Sequence, residues 1–293
     1  MRTKGLRYEL LAEFFGTFVL ILLGDGVVAN VGLAPRLAPS AYSWDTIALG
    51  WAFAVVVAVY IAGGVTGAHI NPAVTFALAI KRGFPWAKVI PYWVAQILGA
   101  FVGAGAVYLI YRDGLMNAGM PNVWATGPGS VFSQVYFGAV ATPTGGTHYS
   151  LLTASIVELF GTMILLGGVM AAFDEHNVGL KNNFGFLLVG GVVLAIGLSL
   201  GGPSGYAINP ARDLGPRLFG ALAGTTGLFA GGYWIIAPIL MPLIGAPLGI
   251  ILYDAFITSG IKAKEAVTEP QRAPVATAGQ QAPIPVSGGN KEE

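Results

Sequence analysis

Apolar runs about as long as a bilayer crossing dominate this chain. A helix spanning ~30 Å of hydrocarbon needs ~20 consecutive, mostly apolar residues. Runs of that kind fall at about 9–32, 43–63, 87–111, 151–173, 184–201 and 231–256. Two further apolar stretches, near 71–80 and 209–221, are roughly ten residues long and too short to cross. Each opens on the same triplet, Asn71-Pro72-Ala73 and Asn209-Pro210-Ala211. The pattern predicts an all-α membrane protein of six transmembrane helices plus two half-helices. The first run follows Met1-Arg2-Thr3-Lys4-Gly5-Leu6-Arg7, as in a secretory leader. It is too long for one, lacks an Ala-x-Ala-type exit and is followed by more spans, so it is read as the first span.

Composition agrees with the pattern. Of 293 residues, 55% are hydrophobic and 10% charged, too few charges to cover a soluble surface of this size. The net charge of +1 offers no basic face to nucleic acid. Cys is absent, which excludes disulfides, thiolate metal sites and a Cys nucleophile. The 43 Gly suit helices that approach one another closely in a membrane. Six spans put both termini on one side, with Arg2, Lys4, Arg7, Lys81, Arg82, Lys88, Lys181, Lys262, Lys264, Arg272 and Lys291; the other side holds Arg36, Arg112 and Arg217. The positive-inside rule makes the side with the termini cytoplasmic. Residues 112–149 form the longest connection, expected to be ordered over the outer mouth. The expected organisation is a channel domain over 1–260 and a polar, disordered cytoplasmic tail over 261–293.

The two halves resemble each other. Ala12-Glu13-Phe14-Phe15-Gly16-Thr17 returns as Val157-Glu158-Leu159-Phe160-Gly161-Thr162. Gly67-Ala68-His69-Ile70-Asn71-Pro72-Ala73 returns as Gly205-Tyr206-Ala207-Ile208-Asn209-Pro210-Ala211, and Leu98-Gly99-Ala100 as Ile244-Gly245-Ala246. The displacements are 145 (13 to 158), 138 (71 to 209) and 146 (99 to 245), in one order. Three spans per half is an odd number, so the repeats, about 8–111 and 151–256, lie inverted. Inverted repeats place a site at the bilayer midplane, lined by half-helices.

Asn is a good N-cap, and Pro at the first helical position loses no hydrogen bond. Both half-helices would therefore point their N-termini at the midplane. Their free N–H groups and dipoles make that point electropositive. The Asn71 and Asn209 amides can donate to an oxygen passing between them. Such a centre repels protons and cations and accepts neutral hydroxyls. The segments leading in, Gly67-Ala68-His69 and Gly205-Tyr206-Ala207, are non-helical, which is tolerated at this depth where backbone lines a watery path. Their carbonyls would form acceptors down one wall, opposite an apolar one. Glu13 and Glu158, at equivalent positions inside spans, either couple ions or accept N–H groups of the half-helix loops; two symmetric copies favour the loops.

Depth gathers four residues on the outer half of the pore. Trp51 lies 12 residues, ~18 Å, before the inner end of the second span near Gly63. Gly197 is near the outer end of the fifth span, Tyr206 is on the descending segment, and Arg212 is one turn outward from Asn209. The aromatics would contact CH groups, Arg212 would donate to hydroxyls, and Gly197 would widen the gap. With three His and no metal spacing, His69 is read as pore-lining or structural rather than a ligand or proton relay. No metal or cofactor site is expected. Asp25, late in the first span, is read as a solvated residue of the outer mouth.

These residues resemble the major intrinsic proteins, the aquaporins and glycerol facilitators, from about Glu9 to Asp254. Thr66-Gly67-Ala68-His69-Ile70-Asn71-Pro72-Ala73 resembles the family's first signature and Asn209-Pro210-Ala211-Arg212 its second. Asp213, Arg217 and Pro238-Ile239 resemble the aquaglyceroporin branch, as do Trp51 and Gly197; Arg212 is common to most of the family. Tyr206 departs from the bacterial facilitators, where Phe is usual, and its hydroxyl bears on the glycerol-to-water ratio. The resemblance implies a homotetramer with one pore per subunit, in a cell (inner or plasma) membrane. It also implies passive passage of glycerol and water, with urea and other small polyols as candidates and with ions and protons excluded. No nucleophile–base pairing suggests an enzyme. The alternatives are a water-selective channel, an ion-coupled secondary transporter, and an adhesion protein with a closed pore.

Overall fold

A computed structural model of the chain describes residues 3–33, 42–127, 130, 149–178 and 184–268. In chain order the helices are α1 (Thr3–Leu33), α2 (Trp44–Thr66), α3 (Pro72–Lys81), α4 (Trp86–Asn117), α5 (Leu151–Phe173), α6 (Phe184–Leu200) and α7 (Pro210–Leu222). A last span follows, made of α8 (Tyr233–Ile235), α9 (Met241–Tyr253) and α10 (Ser259–Thr268), joined by π-helical turns at Ile236–Leu240 and Asp254–Thr258. Pro238 and Pro242 explain its irregular start: each removes a backbone donor, and a π turn absorbs the broken ladder. No strand occurs among the described residues; one isolated bridge pairs Asn122 with Ser130.

Helices α1, α2, α4, α5 and the last span are long and apolar enough to cross a membrane. Helix α6, with 17 residues, is ~26 Å long, the lower end of the spanning range. The half-helices α3 and α7 have 10 and 13 residues. Helix α4 continues six residues past the expected end of its span, because helical hydrogen bonding needs no apolar side chain once the chain leaves hydrocarbon. The last span likewise continues to Thr268, eight residues into the stretch read as tail; 269–293 lie outside the described residues. So do Arg2, Arg36, Lys181, Arg272 and Lys291, and most of the long connection, 128–129 and 131–148.

Packing follows the repeat. Helix α1 packs on α2 and α4, α5 packs on α6 and α9, and α2 meets α6 between the halves. Each half-helix leans on the last span of the other half, α7 on α4 and α3 on α9. Glycines permit the closest approaches. A Cβ at Gly99 would collide with the Phe14 carbonyl, and one at Gly103 would stand 2.8 Å from that of Phe18. Gly245 and Gly249 meet the Leu159 and Met163 carbonyls in the same way. Both pairs are Gly-x-x-x-Gly steps, which let membrane helices touch backbone to backbone. These contacts fix α1 and α5, and with them the two carboxylates described next.

Candidate conducting pore

The half-helices meet tip to tip. Asn71 caps α3, its Oδ1 accepting from Ala73 N at 2.9 Å, and Pro72 follows as the first helical residue. Asn209 caps α7 likewise, accepting from Ala211 N at 3.0 Å and Arg212 N at 3.2 Å. Each amide then donates one N–H across the junction: Asn71 Nδ2 to the Ile208 carbonyl and Asn209 Nδ2 to the Ile70 carbonyl, both at 2.9 Å. One N–H of each amide is thus spent on holding the halves together. The second remains for a passing oxygen.

The loops before these caps have the same backbone in both halves. Positive φ occurs at Gly67 (77°), Ala68 (54°) and Ile70 (40°), and at Gly205 (93°), Tyr206 (40°) and Ile208 (44°). Four of these six are not glycine, so the surroundings must hold the conformation. Glu13 does so in the first half. Its Oε1 accepts from Thr66 Oγ1 (2.6 Å) and His69 N (3.0 Å), and its Oε2 from Ile70 N (2.7 Å) and Gln96 Nε2 (2.7 Å). Glu158 accepts from Ala207 N (2.8 Å) and Ile208 N (2.7 Å). Both carboxylates are fully buried. Thr66 and Ser204 complete the match: Ala68 N donates to one hydroxyl at 3.0 Å and Tyr206 N to the other at 3.1 Å.

With every loop N–H turned toward the protein, the carbonyls are left over. Among the described residues no donor reaches those of Gly67, Ala68 and His69, or of Gly205, Tyr206 and Ala207. All of these residues but Gly205 line a cavity of about 510 Å3 that also reaches Asn71, Asn209 and Arg212. Its other wall is apolar, with Val55, Val59, Val189, Val193, Leu20 and Leu165. His69 lines it too, its Nδ1 3.1 Å from Thr75 Oγ1 and its ring against Phe84 and Tyr92.

Trp51, Tyr206 and Arg212 border this cavity and also a pocket of about 30 Å3 on the far side, away from the chain ends. They mark the constriction between the two. The Arg212 guanidinium lies over the Trp51 ring, 3.9 Å from its centroid. A side chain at Gly24 would collide with that ring, so Gly24 lets the indole lie flat on α1. The space left by Gly197 is taken by Tyr206: a Cβ there would stand 2.8 Å from Cζ and 3.0 Å from the hydroxyl. Trp44 holds Tyr206 edge-on at 5.6 Å between centroids and donates its Nε1 to the Gly197 carbonyl at 2.9 Å. The Tyr206 hydroxyl is buried without a partner among the described residues.

Asp213 and Arg217 sit behind the constriction. Asp213 Oδ1 accepts from Arg217 Nε at 2.7 Å; its Oδ2 accepts from Thr126 N (2.9 Å) and Thr126 Oγ1 (2.6 Å). Arg217 donates onward to the carbonyls of Thr126, at 2.9 Å, and Leu228. The pair therefore clamps the 121–127 segment onto α7. Pro238 is buried in the first π turn, away from either cavity lining. Asp25 corrects the sequence expectation. It is fully buried rather than solvated, because α1 runs two more turns to Leu33 and α7 packs against α1.

Six spans around two facing half-helices, with a carbonyl-lined lumen through their junction, define a multi-pass transmembrane pore protein. The model of the major intrinsic protein family matches residues 1–253, and the chain belongs to that family. It is 45% identical over 251 residues to a probable glycerol uptake facilitator protein of Thermotoga maritima, covering 83% of this chain and 97% of that one. It is 42% identical over 262 residues to glycerol uptake facilitator protein 3 of Lactiplantibacillus plantarum, covering 87% and 99%. Human aquaporin-10 is 38% identical over 251 residues, covering 85% and 80%. Among solved structures, the aquaglyceroporin of Plasmodium falciparum superposes with a TM-score of 0.75 at 31% identity, covering 88% of this chain and 99% of that one.

Proposed function

We propose that this chain is a passive channel for glycerol and water that excludes ions and protons. The observation that carries the proposal is the two-faced lumen: a row of unpaired carbonyls from Gly67–His69, Tyr206 and Ala207, continued by Gly205 in the smaller pocket beyond the constriction, opposite a wall of valines and leucines. A polyol has the matching edges, hydroxyls on one side and CH groups on the other. Water needs only the carbonyls. The facilitator and aquaglyceroporin relatives support the same solute class. Trp51, Gly197, Tyr206 and Arg212 act as the filter, Trp51 and Tyr206 against carbon and Arg212 toward hydroxyls. The half-helix N-termini and the Asn71 and Asn209 amides repel cations at the junction. Glu13 and Glu158 keep the loop carbonyls aimed at the lumen. Asp213 and Arg217 mark the glycerol-conducting branch by securing the segment behind the filter, with Pro238 and Ile239 beside them in sequence pattern. Urea and other small polyols are further candidate solutes.

The subunit assembles as a homotetramer in the lipid bilayer of a cell membrane, one pore per subunit, with both termini cytoplasmic. Residues 1–260 form the channel and 261–293 a cytoplasmic tail whose first residues, to Thr268, continue the last helix. Stopped-flow swelling of proteoliposomes under gradients of glycerol, urea and larger polyols tests the proposal. Re-swelling in glycerol above empty liposomes, unaffected by collapse of proton and sodium gradients, is expected. Fast water flow without glycerol re-swelling would establish a water-selective channel. Saturable uptake abolished by collapsing a gradient would establish a coupled transporter.

A further inference from the structure

Tyr233 heads the last span and lines neither cavity, yet it ties together two segments that do. Its hydroxyl stands 3.0 Å from Thr126 Oγ1 and 3.0 Å from the Ser204 carbonyl. Thr126 spends its own proton on Asp213 Oδ2 at 2.6 Å. Tyr233 is therefore the donor at both contacts, its one proton shared between them. The side chain is buried among Leu151, Ala154 and Ala237. Gly127, at φ 83°, also lies against it, and a Cβ there would collide with the ring.

The two segments are the wall of the outer pocket, 123–127, and the start of the filter loop, 204–206. The Ser204 carbonyl is the junction between them, because it accepts from Gly127 N at 3.0 Å as well as from Tyr233. The same peptide plane is held at its far end, where Gly205 N donates to the Gly201 carbonyl at 2.8 Å. In the next plane Tyr206 N donates to Ser204 Oγ at 3.1 Å. Together these bonds aim the Gly205 carbonyl and hold Tyr206 at φ 40°, a conformation that a tyrosine does not keep unaided. The first half is built differently. Thr66 stands where Ser204 does, and its hydroxyl serves Ala68 N in the same way. Among the described residues, however, no counterpart of Gly127 N or of the Tyr233 hydroxyl donates to the Thr66 carbonyl. The strap belongs to the half that carries the filter.

We propose that Tyr233 is a positioning residue for solute selection: by pinning the Ser204 carbonyl to the outer wall it fixes the Gly205 carbonyl and the Tyr206 ring, and so the fit of the constriction to a polyol. Glycerol must satisfy several hydroxyls at once while its carbon edge rests on Trp51 and Tyr206. A water molecule can turn to whichever acceptor is near. Loosening the strap therefore costs glycerol more than water. This rests on the glycerol-channel reading above.

The test is Tyr233→Phe, which keeps the ring and removes the hydroxyl. Glycerol and water permeabilities are measured on the same proteoliposomes, for wild type and variant, at a temperature well below either Tm. The glycerol-to-water ratio should fall about fivefold, the scale of one neutral hydrogen bond, with water permeability near that of the wild type. A merely structural lesion lowers the number of working channels, which scales both permeabilities together and leaves the ratio alone. An unchanged ratio in Tyr233→Phe would overturn the role. If that variant does not fold, Gly127→Ala decides, since its Cβ presses on the same ring: a lowered ratio supports the role and an unchanged one overturns it. Wild-type vesicles that pass no glycerol would overturn the channel reading itself, so the two failures are distinguishable.

Discussion

Glu13→Gln perturbs the pore without touching its lining. Glu13 accepts four hydrogen bonds, from Thr66 Oγ1, His69 N, Ile70 N and Gln96 Nε2. A glutamine oxygen can serve one pair of these donors, and its NH2 then faces the other pair. Two of the four partners can adapt. The Thr66 hydroxyl can rotate to accept, and the Gln96 amide can flip to offer its Oε1, which is unpaired now. The backbone N–H groups of His69 and Ile70 cannot adapt, so one is left unsatisfied. A bond to a charged group is worth about 1.5–3 kcal/mol, and the bonds that survive weaken because charge assistance roughly doubles their strength. The total is about 3 kcal/mol, concentrated on a loop that already holds Ala68 and Ile70 at positive φ. For a chain of this size that corresponds to a Tm lower by roughly 6–12 °C. Thermal unfolding of the purified protein in detergent and water flux in proteoliposomes read the two consequences, a lower Tm and a reduced flux as the Gly67–His69 carbonyls lose their alignment. A variant with wild-type Tm and wild-type flux would show that Glu13 does not hold the loop.

Arg212→Ala should widen the constriction, raising passage of polyols larger than glycerol and weakening charge exclusion; a polyol size series with unchanged cut-off would count against the filter assignment. Gly197→Ala should push the Tyr206 ring toward the lumen, since the new Cβ would stand 2.8 Å from Cζ. A displacement costing ~1 kcal/mol slows passage about fivefold, so glycerol flux should fall by that order and water flux by less. Asp213→Asn leaves the Arg217 guanidinium buried without its counter-charge. Breaking a buried pair costs about 3–5 kcal/mol, and a Tm equal to wild type would contradict the clamp described for 121–127.

Much of this architecture was legible because it was written twice. Asn71 and Asn209, the segments before them, and Glu13 and Glu158 each stand at equivalent repeat positions, which raises a common motif above chance. Thr66 and Ser204 carried the same signal, a hydroxyl two residues before Ala68 and Tyr206, and could have been found by extending the alignment one step. Gln96 could not: its repeat equivalent is Pro242, so no second copy points to it. Thr75 and Asp213 also occupy equivalent positions, yet one bonds Gln96 and the other Thr126 and Arg217, where the halves have diverged. The bonds from Thr126 to Asp213 span 87 residues of chain and leave no local pattern. Asp25 was misplaced for a different reason. Distance from the end of an apolar run measures depth along a helix, and it carries no information about which neighbour covers that face.

The junction of the two half-helices should pass neutral hydroxyls and refuse protons. Its most direct test is simultaneous: proteoliposomes loaded with a pH-sensitive dye, placed in a glycerol gradient with an opposing proton gradient. Rapid glycerol re-swelling is expected while internal pH drifts no faster than in empty liposomes. Internal pH that collapses in step with glycerol entry, or glycerol entry no faster than in empty liposomes, would contradict it.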